Sequence, residues 1–518
     1  MSISEKCITK VHEYIDYFKE NTAKPKPLAK LFKTESVGYI YDTGTNKVMS
    51  CGKYEYDILQ KIVDGKINEI SNIKDDVDVN NFYEALENVK EAIEQEDILK
   101  GGQDWKFASK GHFEELDNKL DCEFDQITLE LTEKCNLRCR YCIYNDEFEH
   151  KRNFGTRDMS AEIAEKAIDY ANLHSGKEKG VGITFYGGEP LINFALLKHS
   201  IEYSKKVIKD KRLVFSMTSN LTLMTPEIAA YLSSVEKLTI LCSIDGPEEI
   251  HDSYRKDING DGTFKRAIRG LKYLIDAFGE KASKAISINM VFTPPYSIEK
   301  VNKIEEFVKG LDWLPKHLRI SMTYPTSGSV NDTPPKGHEK DYGFELIRWS
   351  EGKYINQLKG DKPIDMFNEE FIVRPLLRIH GRRISNKSES EYPVNGCCIP
   401  GSRKLYVTVD GNFQICERIN GSPIIGNVFD GIDKSKIKKE VIKEFVDKSF
   451  EDCSKCWASR LCNVCYSHCY TDGKFDMVAK RRNCMSSRAN ALRSLIFYHK
   501  CSEINPEKLE YLNKIEVS

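Results

Sequence analysis

The stretch from Leu131 to Tyr144, LTEKCNLRCRYCIY, holds Cys135, Cys139 and Cys142 in a CxxxCxxC spacing. The apolar run just before it, ITLEL, is typical of a buried strand, so the three thiols are expected on a loop that leaves a strand. A [4Fe-4S] cluster normally takes four cysteine thiolates, so three leave one iron open to a small chelating molecule. The alternatives are a zinc loop or three unpaired core thiols, although zinc sites usually show CxxC pairs or Cys/His sets.

This loop resembles that of the radical SAM superfamily, in which an aromatic residue, here Tyr141, precedes the last cysteine. The resemblance implies that the loop binds a [4Fe-4S] cluster together with S-adenosylmethionine (SAM). It also implies reductive cleavage of SAM to a 5′-deoxyadenosyl radical, which abstracts a hydrogen atom from a substrate. The protein would position the reactive carbon and exclude water and oxygen, while the cofactor carries the difficult step.

Further motifs of this superfamily follow at the ends of predicted strands. The sequence GGEP, residues 187–190, matches the motif that contacts the SAM amino group, and SIDGPEEIHDSYRKD with GDGTF is close to a segment of sulfatase and peptide maturases. By this resemblance the residues that bind SAM are Tyr144, Gly187, Gly188, Glu189, Ser219, Asn220, Ser243, Asp245, Arg255 and Val291. Tyr144 and Val291 would line the adenosine pocket, and the forked Arg255 suits the SAM carboxylate. Taken alone, the glycine pair predicts a turn and Arg255 a surface ion pair.

Residues 125–325 alternate strand and helix patterns, and these elements must position the motifs. The predicted strands are ITLELT, GITFYGG, RLVFSMTSN, KLTILCSID, AISINMVFT and HLRISMTYP, with helices such as Ala161–Leu173 and Phe194–Lys209 between them. Six β/α units predict an α/β fold, a parallel sheet curled into a partial (β/α)6 barrel of the TIM type. Chemistry in such barrels gathers at the C-terminal ends of the strands, where these motifs fall.

Composition narrows the class of protein. The chain has 518 residues and a net charge of -2, with 30% charged residues, which predicts two to four domains and no basic surface for nucleic acid. The N-terminus lacks the pattern of a signal peptide, and no apolar run is long enough to cross a bilayer. We therefore expect a cytoplasmic protein with neither nucleic acid nor membrane as a partner. Seventeen cysteines in a reducing compartment more often indicate metal than disulfides.

Nine cysteines form a second block near the C-terminus: Cys397, Cys398, Cys416, Cys453, Cys456, Cys462, Cys465, Cys469 and Cys484. Their order, with Gly411 before Cys416, resembles the SPASM extension of radical SAM enzymes, which carries two auxiliary [4Fe-4S] clusters. Three clusters in all are then implied. By the resemblance, Cys398 and Cys416, which a hairpin around Gly411 would bring together, hold the first auxiliary cluster with a later cysteine. Cys453, Cys456, Cys462 and Cys484 would hold the second. A zinc ribbon is the alternative.

This block departs from the common SPASM pattern at one ligand position. Tyr466 occupies the place of a cysteine four residues past Cys462, so Cys465 and Cys469 compete for that role. The adjacent Cys397 and Cys398 point in diverging directions, and only one of them is expected to be a ligand. Glu417 directly follows Cys416, where sulfatase maturases carry an acidic residue that removes the substrate proton. Glu417 is therefore a candidate base, with a surface carboxylate as the alternative.

Residues 1–115 predict a small domain of helices and one hairpin. Helical patterns cover Val11–Asn21, Tyr54–Val63 and Asn81–Glu94, and SVGYIYD pairs with KVMSCG through a turn at residues 43–46. This winged-helix-like layout is similar to the domain of peptide-modifying enzymes in which a leader peptide adds a strand to the hairpin edge. A cap or dimerisation element is the alternative. The other expected units are the barrel at 120–330, a helical linker at 331–395, a SPASM domain at 396–486 and a C-terminal helical segment at 487–518.

These resemblances predict a radical SAM/SPASM maturase that modifies a ribosomally synthesised precursor peptide carrying a leader. The segment NDEFEHKRNFGTRDMS, residues 145–160, looks like the same region of thioether-forming maturases, so a cysteine thioether is the favoured product. An external electron donor such as ferredoxin or flavodoxin is implied. The alternatives are formylglycine formation of the sulfatase-maturase type, carbon–carbon cross-linking, epimerisation, and a zinc-stabilised peptide-binding scaffold without catalysis.

Overall fold

The computed structural model describes residues 3–72, 78–144, 154–325, 330, 344–360, 366–394, 396–418, 422–471 and 473–515, without the side chains of residues 3–9, 344 and 366–371. Residues 145–153, which carry much of the resemblance to thioether-forming maturases, lie outside this range. Residues 326–329 and 331–343, at the expected junction of the barrel and the helical linker, also lie outside it. A search of the described helices finds none with both the length and the apolar character needed to cross a membrane.

The N-terminal unit contains three helices and a three-stranded antiparallel sheet. Its elements are α1 (Ile3–Asn21), β1 (Ala29–Lys33), β2 (Gly38–Asp42), β3 (Val48–Cys51), α2 (Lys53–Val63) and α3 (Val79–Glu96). The sheet order is β1-β2-β3. The helices and the β2–β3 hairpin agree with the sequence patterns, but β1 is an additional strand. Its pairing from Ala29 with Asp42 to Lys33 with Gly38 turns the expected hairpin into a sheet.

A short connection leads into the central sheet. It contains β4 (Lys106–Phe107) and α4 (Leu116–Cys122). The elements that follow are β5 (Gln126–Thr132), α5 (Ala161–His174), β6 (Val181–Gly187), α6 (Phe194–Val207), β7 (Leu213–Ser219), α7 (Pro226–Ser234), β8 (Leu238–Ser243), α8 (Glu248–Tyr254), α9 (Phe264–Phe278), α10 (Ala282–Ala285), β9 (Ile286–Val291), α11 (Ile298–Gly310) and β10 (Arg319–Thr323). Strands β5 to β10 pair in parallel in chain order, so the six predicted strands are confirmed.

The core lies between this sheet and its helices. Side chains alternate along each strand, so Ile183 and Phe185 of β6 face the helical layer, where they join Ala167 and Ile201 in one buried cluster. Side-chain caps fix where helices begin: Ser160 accepts from Ile163 N at the start of α5. The helices therefore cover one face, and the sheet's C-terminal strand ends carry the candidate site residues.

The C-terminal part adds strands to the same sheet. Its elements are α12 (Phe344–Lys359), α13 (Met366–His380), β11 (Glu391–Tyr392), β12 (Leu405–Val407), β13 (Phe413–Gln414), β14 (Gly426–Asn427), β15 (Gly431–Ile432), α14 (Lys434–Lys436), α15 (Glu444–Cys453), β16 (Tyr470–Thr471), β17 (Lys474–Phe475) and α16 (Met477–Ile504). Strand β12 pairs in parallel with β5, and β13 pairs antiparallel with β12. The predicted hairpin around Gly411 is thus present, and it extends the parallel sheet to eight strands.

Helix α16 ties the two ends of the chain together. The expected limit between the SPASM and C-terminal segments, at residues 486 and 487, falls inside this one helix of 28 residues. His499 of α16 packs against Phe32 and Tyr39 of the N-terminal sheet, with ring centroids 5.5 and 4.9 Å apart. The Tyr39 hydroxyl donates to Glu503 at 2.8 Å. The N-terminal unit is therefore packed on the C-terminal part rather than standing apart from it.

Candidate active site

The cysteine loop, residues 135–142, follows the C-terminal end of β5. Cys139 is buried, and Cys135 and Cys142 are half-buried. The segment that carries Arg255 holds the loop by backbone hydrogen bonds, for example from Arg138 N to Lys256 O at 2.7 Å. Two stretches more than a hundred residues apart in sequence therefore meet at the carboxyl edge of the sheet.

The three thiols share a desolvated environment. Burial is the main cause that raises the pKa of Cys135 and of Cys142 to about 12, and at Cys135 the Glu189 carboxylate and the other two thiols of the loop contribute to the shift. Burial also raises the pKa of Cys139, against the effect of the Arg255 guanidinium. Because thiolates are costly in such a setting without a compensating cation, this trio suits iron as its partner.

Gly187 and Gly188 let the cysteine loop approach the end of β6. Gly187 has φ +126°, and a Cβ there would lie 2.4 Å from Thr132 O. A Cβ at Gly188 would lie 2.1 Å from Lys134 O. Both contacts are shorter than any real Cβ contact, so only glycine fits. The glycine pair is thus required by the loop backbone itself, in addition to any contact with a ligand.

The Glu189 carboxylate accepts hydrogen bonds from residues at the end of the neighbouring strand β7. It is 1% exposed, and its carboxylate accepts from Ser219 Oγ at 2.9 Å and from Asn220 N at 2.7 Å. Burial raises the pKa of Glu189, while these hydrogen bonds act in the opposite direction. The Asn220 amide donates to Asn136 of the cysteine loop at 3.0 Å. The structure thus brings three predicted SAM residues together beside Cys135.

A chain of short hydrogen bonds links Asp245, Tyr141 and Arg255. The Tyr141 hydroxyl donates to Asp245 Oδ2 at 2.6 Å, and Arg255 Nη1 donates to the Tyr141 hydroxyl at 2.6 Å. Asp245 Oδ1 accepts from Val291 N at 3.0 Å. Arg255 is 6% exposed, so the alternative of a surface ion pair is wrong. Its buried Nε has no hydrogen-bond partner among the described residues, which leaves a donor for a carboxylate.

Two other predicted residues lie in different surroundings. Tyr144 is 3% exposed, and its hydroxyl lies 3.3 Å from Glu130 Oε1 and 3.1 Å from the Tyr406 hydroxyl of β12. It therefore joins β5 to the SPASM-like hairpin as well as standing next to the cysteine loop. Ser243 is the last residue of β8 and is half-buried. It lies two positions before Asp245 in the sequence.

Comparison with protein families matches residues 129–308 to the Radical SAM superfamily. That range begins in β5, ends in α11 and contains the cysteine loop, the glycine pair and Arg255. Residues 129–308 are a radical SAM domain. The chain is accordingly a radical SAM enzyme, and the confirmed sheet order is the frame that holds its site.

Curated relatives and solved structures are similar over different parts of the chain. The cysteine-type anaerobic sulfatase-maturating enzyme of Clostridium perfringens strain ATCC 13124 is 27% identical over 63% of this chain and 84% of its own. The radical SAM cyclopropyl synthase TigE of Paramaledivibacter caminithermalis is 27% identical over 38% of this chain and 44% of its own. The structure of native anSMEcpe with bound AdoMet is 22% identical, covers 75% of this chain and 100% of its own, and has a TM-score of 0.49.

The residues of the radical SAM domain fit the cofactors of its family, SAM and a [4Fe-4S] cluster. Cys135, Cys139 and Cys142 supply buried sulfur ligands of the kind that iron–sulfur clusters use. The orphaned Arg255 Nε suits the SAM carboxylate, and the buried Glu189 carboxylate suits its ammonium. When bound, these groups supply the 5′-deoxyadenosyl radical, whereas the side chains supply binding and orientation.

The second cysteine block places most of its thiols in two neighbouring groups. In one, the thiol of Cys397 lies among Cys462, Cys465 and Cys469, whose charges add to burial and raise its pKa well above the ordinary value. In the other, Cys453 lies near Cys456, Cys462 and Cys484, and burial raises its pKa to about 11. No three His, Cys, Asp or Glu side chains within the described ranges converge to hold a single metal ion. A [4Fe-4S] cluster instead takes one thiolate per iron.

Cys397 and Cys398 indeed face different surroundings. Cys398 is exposed and lies 4.0 Å from Arg403 Nη1. Cys469 is fully buried. Cys465 lies 2.8 Å from Ser467 Oγ and 3.7 Å from His468 Nδ1. Burial opposes ionisation of Cys465, but these two hydrogen bonds outweigh it and lower its pKa.

Lys480 is a buried cation that the sequence patterns did not single out. It is 2% exposed, and its Nζ lies 3.5 Å from Cys453 Sγ and 3.8 Å from Cys484 Sγ. Burial opposes its charged form, but the nearby thiols outweigh burial and raise its pKa. The signal that could have found it is its position four residues before Cys484, which places both side chains on one face of α16.

One large cavity separates the cysteine loop from the second block. Its volume is about 2500 Å³. On one side it is lined by Ile143, next to Cys142, and by Tyr324 at the end of β10. On the other side it is lined by thiol-bearing residues of the second block: Cys398, Cys416, Cys462 and Cys465. The cavity is large enough for a peptide segment, and its lining includes four cysteines of the second block and Ile143, the residue that follows Cys142.

Glu417 lies on the wall of this cavity. Its side chain is 14% exposed, and one carboxylate oxygen lies 3.3 Å from Lys404 Nζ. The other oxygen is buried and has no hydrogen-bond partner among the described residues. The Glu417 side chain is thus largely buried, and an unpaired oxygen in such a setting is unusual, because buried polar atoms are normally hydrogen-bonded.

Proposed function

We propose that this radical SAM enzyme is a maturase that modifies a ribosomally synthesised precursor peptide and forms a cysteine thioether. The observation that carries the proposal is the cavity between Ile143 and the thiols of Cys398, Cys416 and Cys465. A peptide in this cavity would present one residue to the SAM side and another to the second cysteine block. The name of the sulfatase-maturating relative supports a polypeptide as the substrate.

Thioether formation replaces one C–H and one S–H bond of the peptide by a C–S bond. When bound by the residues of the radical SAM domain and of the second block, SAM and the clusters would supply the abstraction of one hydrogen atom from the carbon and an acceptor for the remaining electron. Glu417 would take the proton of the peptide thiol, because this residue lines the cavity and one of its oxygens has no hydrogen-bond partner among the described residues. Lys404 holds the other oxygen and so orients the carboxylate. The cavity wall keeps the reactive carbon away from bulk water.

We infer that two auxiliary [4Fe-4S] clusters occupy the second block, giving three clusters in all. Cys453, Cys456, Cys462 and Cys484 would hold one, in line with their grouping around Lys480. Cys416, with Cys397 or Cys398 and with Cys465 or Cys469, would hold the other. The cysteine loop and this block would receive electrons from a donor such as ferredoxin or flavodoxin.

Residues 1–115 would recognise the leader of the precursor peptide. Strand β3 is the outer strand of its sheet among the described residues; Ser50 is exposed and the other three residues are half-buried. An extended peptide can add to such an edge by main-chain hydrogen bonds. The turn before β3 contacts the second cysteine block, since Thr43 Oγ1 donates to Trp457 O at 2.6 Å. A bound leader would therefore lie near the cavity that holds the modified residues.

Mass spectrometry of one reaction tests this proposal. The anaerobically reconstituted enzyme is incubated with SAM, a reductant and the small cysteine-bearing peptide encoded beside the gene. The expected product is two hydrogens lighter and has one fewer thiol that reacts with iodoacetamide. A colourless preparation without iron, or a reaction that yields no 5′-deoxyadenosine, would contradict the proposal and favour a zinc-stabilised scaffold.

The same experiment separates the other candidate modifications. Formylglycine formation, which the name of the sulfatase-maturating relative favours, would give an aldehyde that reacts with hydrazide. Carbon–carbon cross-linking would also remove two hydrogens but would leave the thiol count unchanged. Epimerisation would change neither the mass nor the thiol count in ordinary water.

A further inference from the structure

The wall of the large cavity carries a strong excess of positive charge. Twelve of the lining residues are lysine or arginine and four are glutamate, and no aspartate lines it. The formal charge of this described lining is thus +8, whereas the whole chain carries -2. Since charges of one sign raise the local concentration of the opposite sign in a cleft, the cavity favours an anionic occupant.

Most of these cations lack a carboxylate partner. Five of the twelve form ion pairs with lining glutamates. The other seven have no ion pair within the described part of the chain; they are Lys110, Arg319, Arg374, Arg378, Arg382, Arg403 and Arg482. Arg319 of β10 and Arg374 of α13 are exposed to the cavity. One buried guanidinium nitrogen of Arg378 has no hydrogen-bond partner among the described residues.

The cofactors do not account for this charge. The residues that fit SAM, Glu189 and Arg255, do not line the cavity. A [4Fe-4S]²⁺ core with four thiolates has a net charge of about -2, so even two such clusters would neutralise only half of the excess. Arg319 and Arg374 lie on β10 and α13, which pack against each other. Neither element belongs to the second cysteine block.

The lining is also suited to a peptide rather than to a small anion. Apolar and aromatic side chains such as Phe113, Tyr324 and Ile399 line the wall together with the cations. A volume of about 2500 Å³ exceeds the 300–1,000 Å³ that is typical of small-molecule sites. A peptide with both apolar and acidic side chains would match the lining and the volume of the cavity.

We propose that the part of the substrate peptide that enters this cavity is acidic, with several Asp or Glu side chains held by the unpaired arginines, Arg319 and Arg374 among them. This inference rests on the proposed function, because it takes a peptide as the occupant. It adds the chemical class of that peptide, which the cofactors and the relatives do not specify.

Binding of synthetic probes tests the inference without catalysis. The probes are fluorescein-labelled Gly-Ser peptides of equal length with one cysteine and two leucines, which differ only in carrying four glutamates, four glutamines or four lysines. Anisotropy is measured on the reconstituted holoenzyme under anaerobic conditions. Because four carboxylates can each pair with an arginine of the wall, we expect the glutamate peptide to bind about tenfold tighter than the glutamine peptide. The advantage should shrink as salt screens the charges.

Paired variants identify the cavity as the site. Arg319→Glu/Arg374→Glu should remove most of the preference for the glutamate peptide, whereas Arg269→Glu, an exposed residue of α9 outside the cavity, should leave it unchanged. Circular dichroism and iron content establish that each variant is folded and loaded. Arg319→Lys/Arg374→Lys should keep the preference.

Three outcomes would overturn the inference. The first is equal binding of the glutamate and glutamine peptides. The second is an unchanged preference for the glutamate peptide in Arg319→Glu/Arg374→Glu. The third is a single-stranded oligonucleotide that competes better than the glutamate peptide. A failure of the proposed function would look different. In that case the holoenzyme would prefer the glutamate peptide and yet leave the mass of the neighbouring gene's peptide unchanged.

Discussion

Tyr141 shows how one side chain of the cysteine loop can organise a distant part of the site. Its hydroxyl accepts from Arg255 and donates to Asp245, each at 2.6 Å. The sequence identified Tyr141 only as the aromatic residue before the last cysteine. It could not reveal this link, because the partners lie more than a hundred positions away.

Tyr141→Phe tests the role of this hydroxyl. The change keeps the ring but leaves Arg255 and Asp245 without their shared partner, and a hydrogen bond to a charged group contributes about 1.5–3 kcal/mol. We expect SAM to bind about tenfold more weakly, measured by equilibrium dialysis with the reconstituted enzyme. Iron content should stay unchanged. Tyr203→Phe, which removes a hydroxyl bonded to Asp169 on the surface, is the matched control.

Lys480→Met tests the buried cation beside Cys453 and Cys484. A positive charge next to an iron–sulfur cluster favours the reduced, more negative state. Its removal should therefore lower the midpoint potential of the auxiliary cluster proposed at Cys453 and Cys484 by on the order of 60 mV, one tenfold step for one electron. Potentiometric titration followed by electron paramagnetic resonance measures the shift. Lys480→Arg should keep the potential, and an equal potential in all three proteins would contradict the prediction.

At the scale of elements, strand β3 offers a main-chain edge. Asp42 N donates to Lys47 O at 3.0 Å, so residues 42 and 47 form a hydrogen-bonded pair. Since such pairs alternate along an antiparallel ladder, Ser50, opposite Tyr39, points its N–H away from β2. Ser50 is exposed, and its N–H is open to an added strand.

Ser50→Pro should weaken leader binding without breaking the sheet. Proline removes the outward N–H but no bond of the β2–β3 ladder. We expect the affinity for the full precursor encoded beside the gene to fall at least about tenfold, as measured by anisotropy, with melting temperature changed little. Ser50→Ala is the control and should bind normally. Undiminished binding by the proline variant would place leader recognition elsewhere.

The sequence predicted the helices and strands better than it predicted which strands pair with each other. The six central strands were found because each is an apolar run that ends in turn or polar residues. Strand β1 was missed because AKLFK is short, contains two lysines and follows a proline-rich stretch. The pairing of β12 with β5 was missed because it joins residues near 406 to residues near 128, a contact that no local pattern encodes.

At the scale of the whole molecule, the N-terminal unit and the second cysteine block share one interface. Arg460, two positions before Cys462, has a side chain 4% exposed and lies 3.1 Å from Glu389. Its Nη1 donates to Gly44 O, in the β2–β3 turn, at 2.7 Å. The Glu389 side chain is 28% exposed, so the pair is half-buried, and a hydrogen bond to a charged group contributes about 1.5–3 kcal/mol.

Arg460→Met should therefore destabilise the interface between the N-terminal unit and the second cysteine block. We expect a loss of about 2 kcal/mol in the free energy of unfolding and faster hydrogen exchange in residues 38–51. Denaturant titration and mass-spectrometric exchange measure the two effects. Arg481→Met, which removes an exposed pair with Asp452, should cost less than about 1 kcal/mol. Equal losses in the two variants would contradict the assignment of Arg460 as the link.

The pairing of β12 with β5 has a consequence for how this chain can be divided. The strand that leads into the first set of iron ligands has β6 on one side and β12, from nearly three hundred residues later, on the other. A fragment that stops after β10 would leave β5 with unpaired amides on one side, and such edges promote aggregation. Neither the part of the chain up to β10 nor the part after it could thus be transferred alone to another enzyme. Hybrids between maturases must exchange β5 and β12 together.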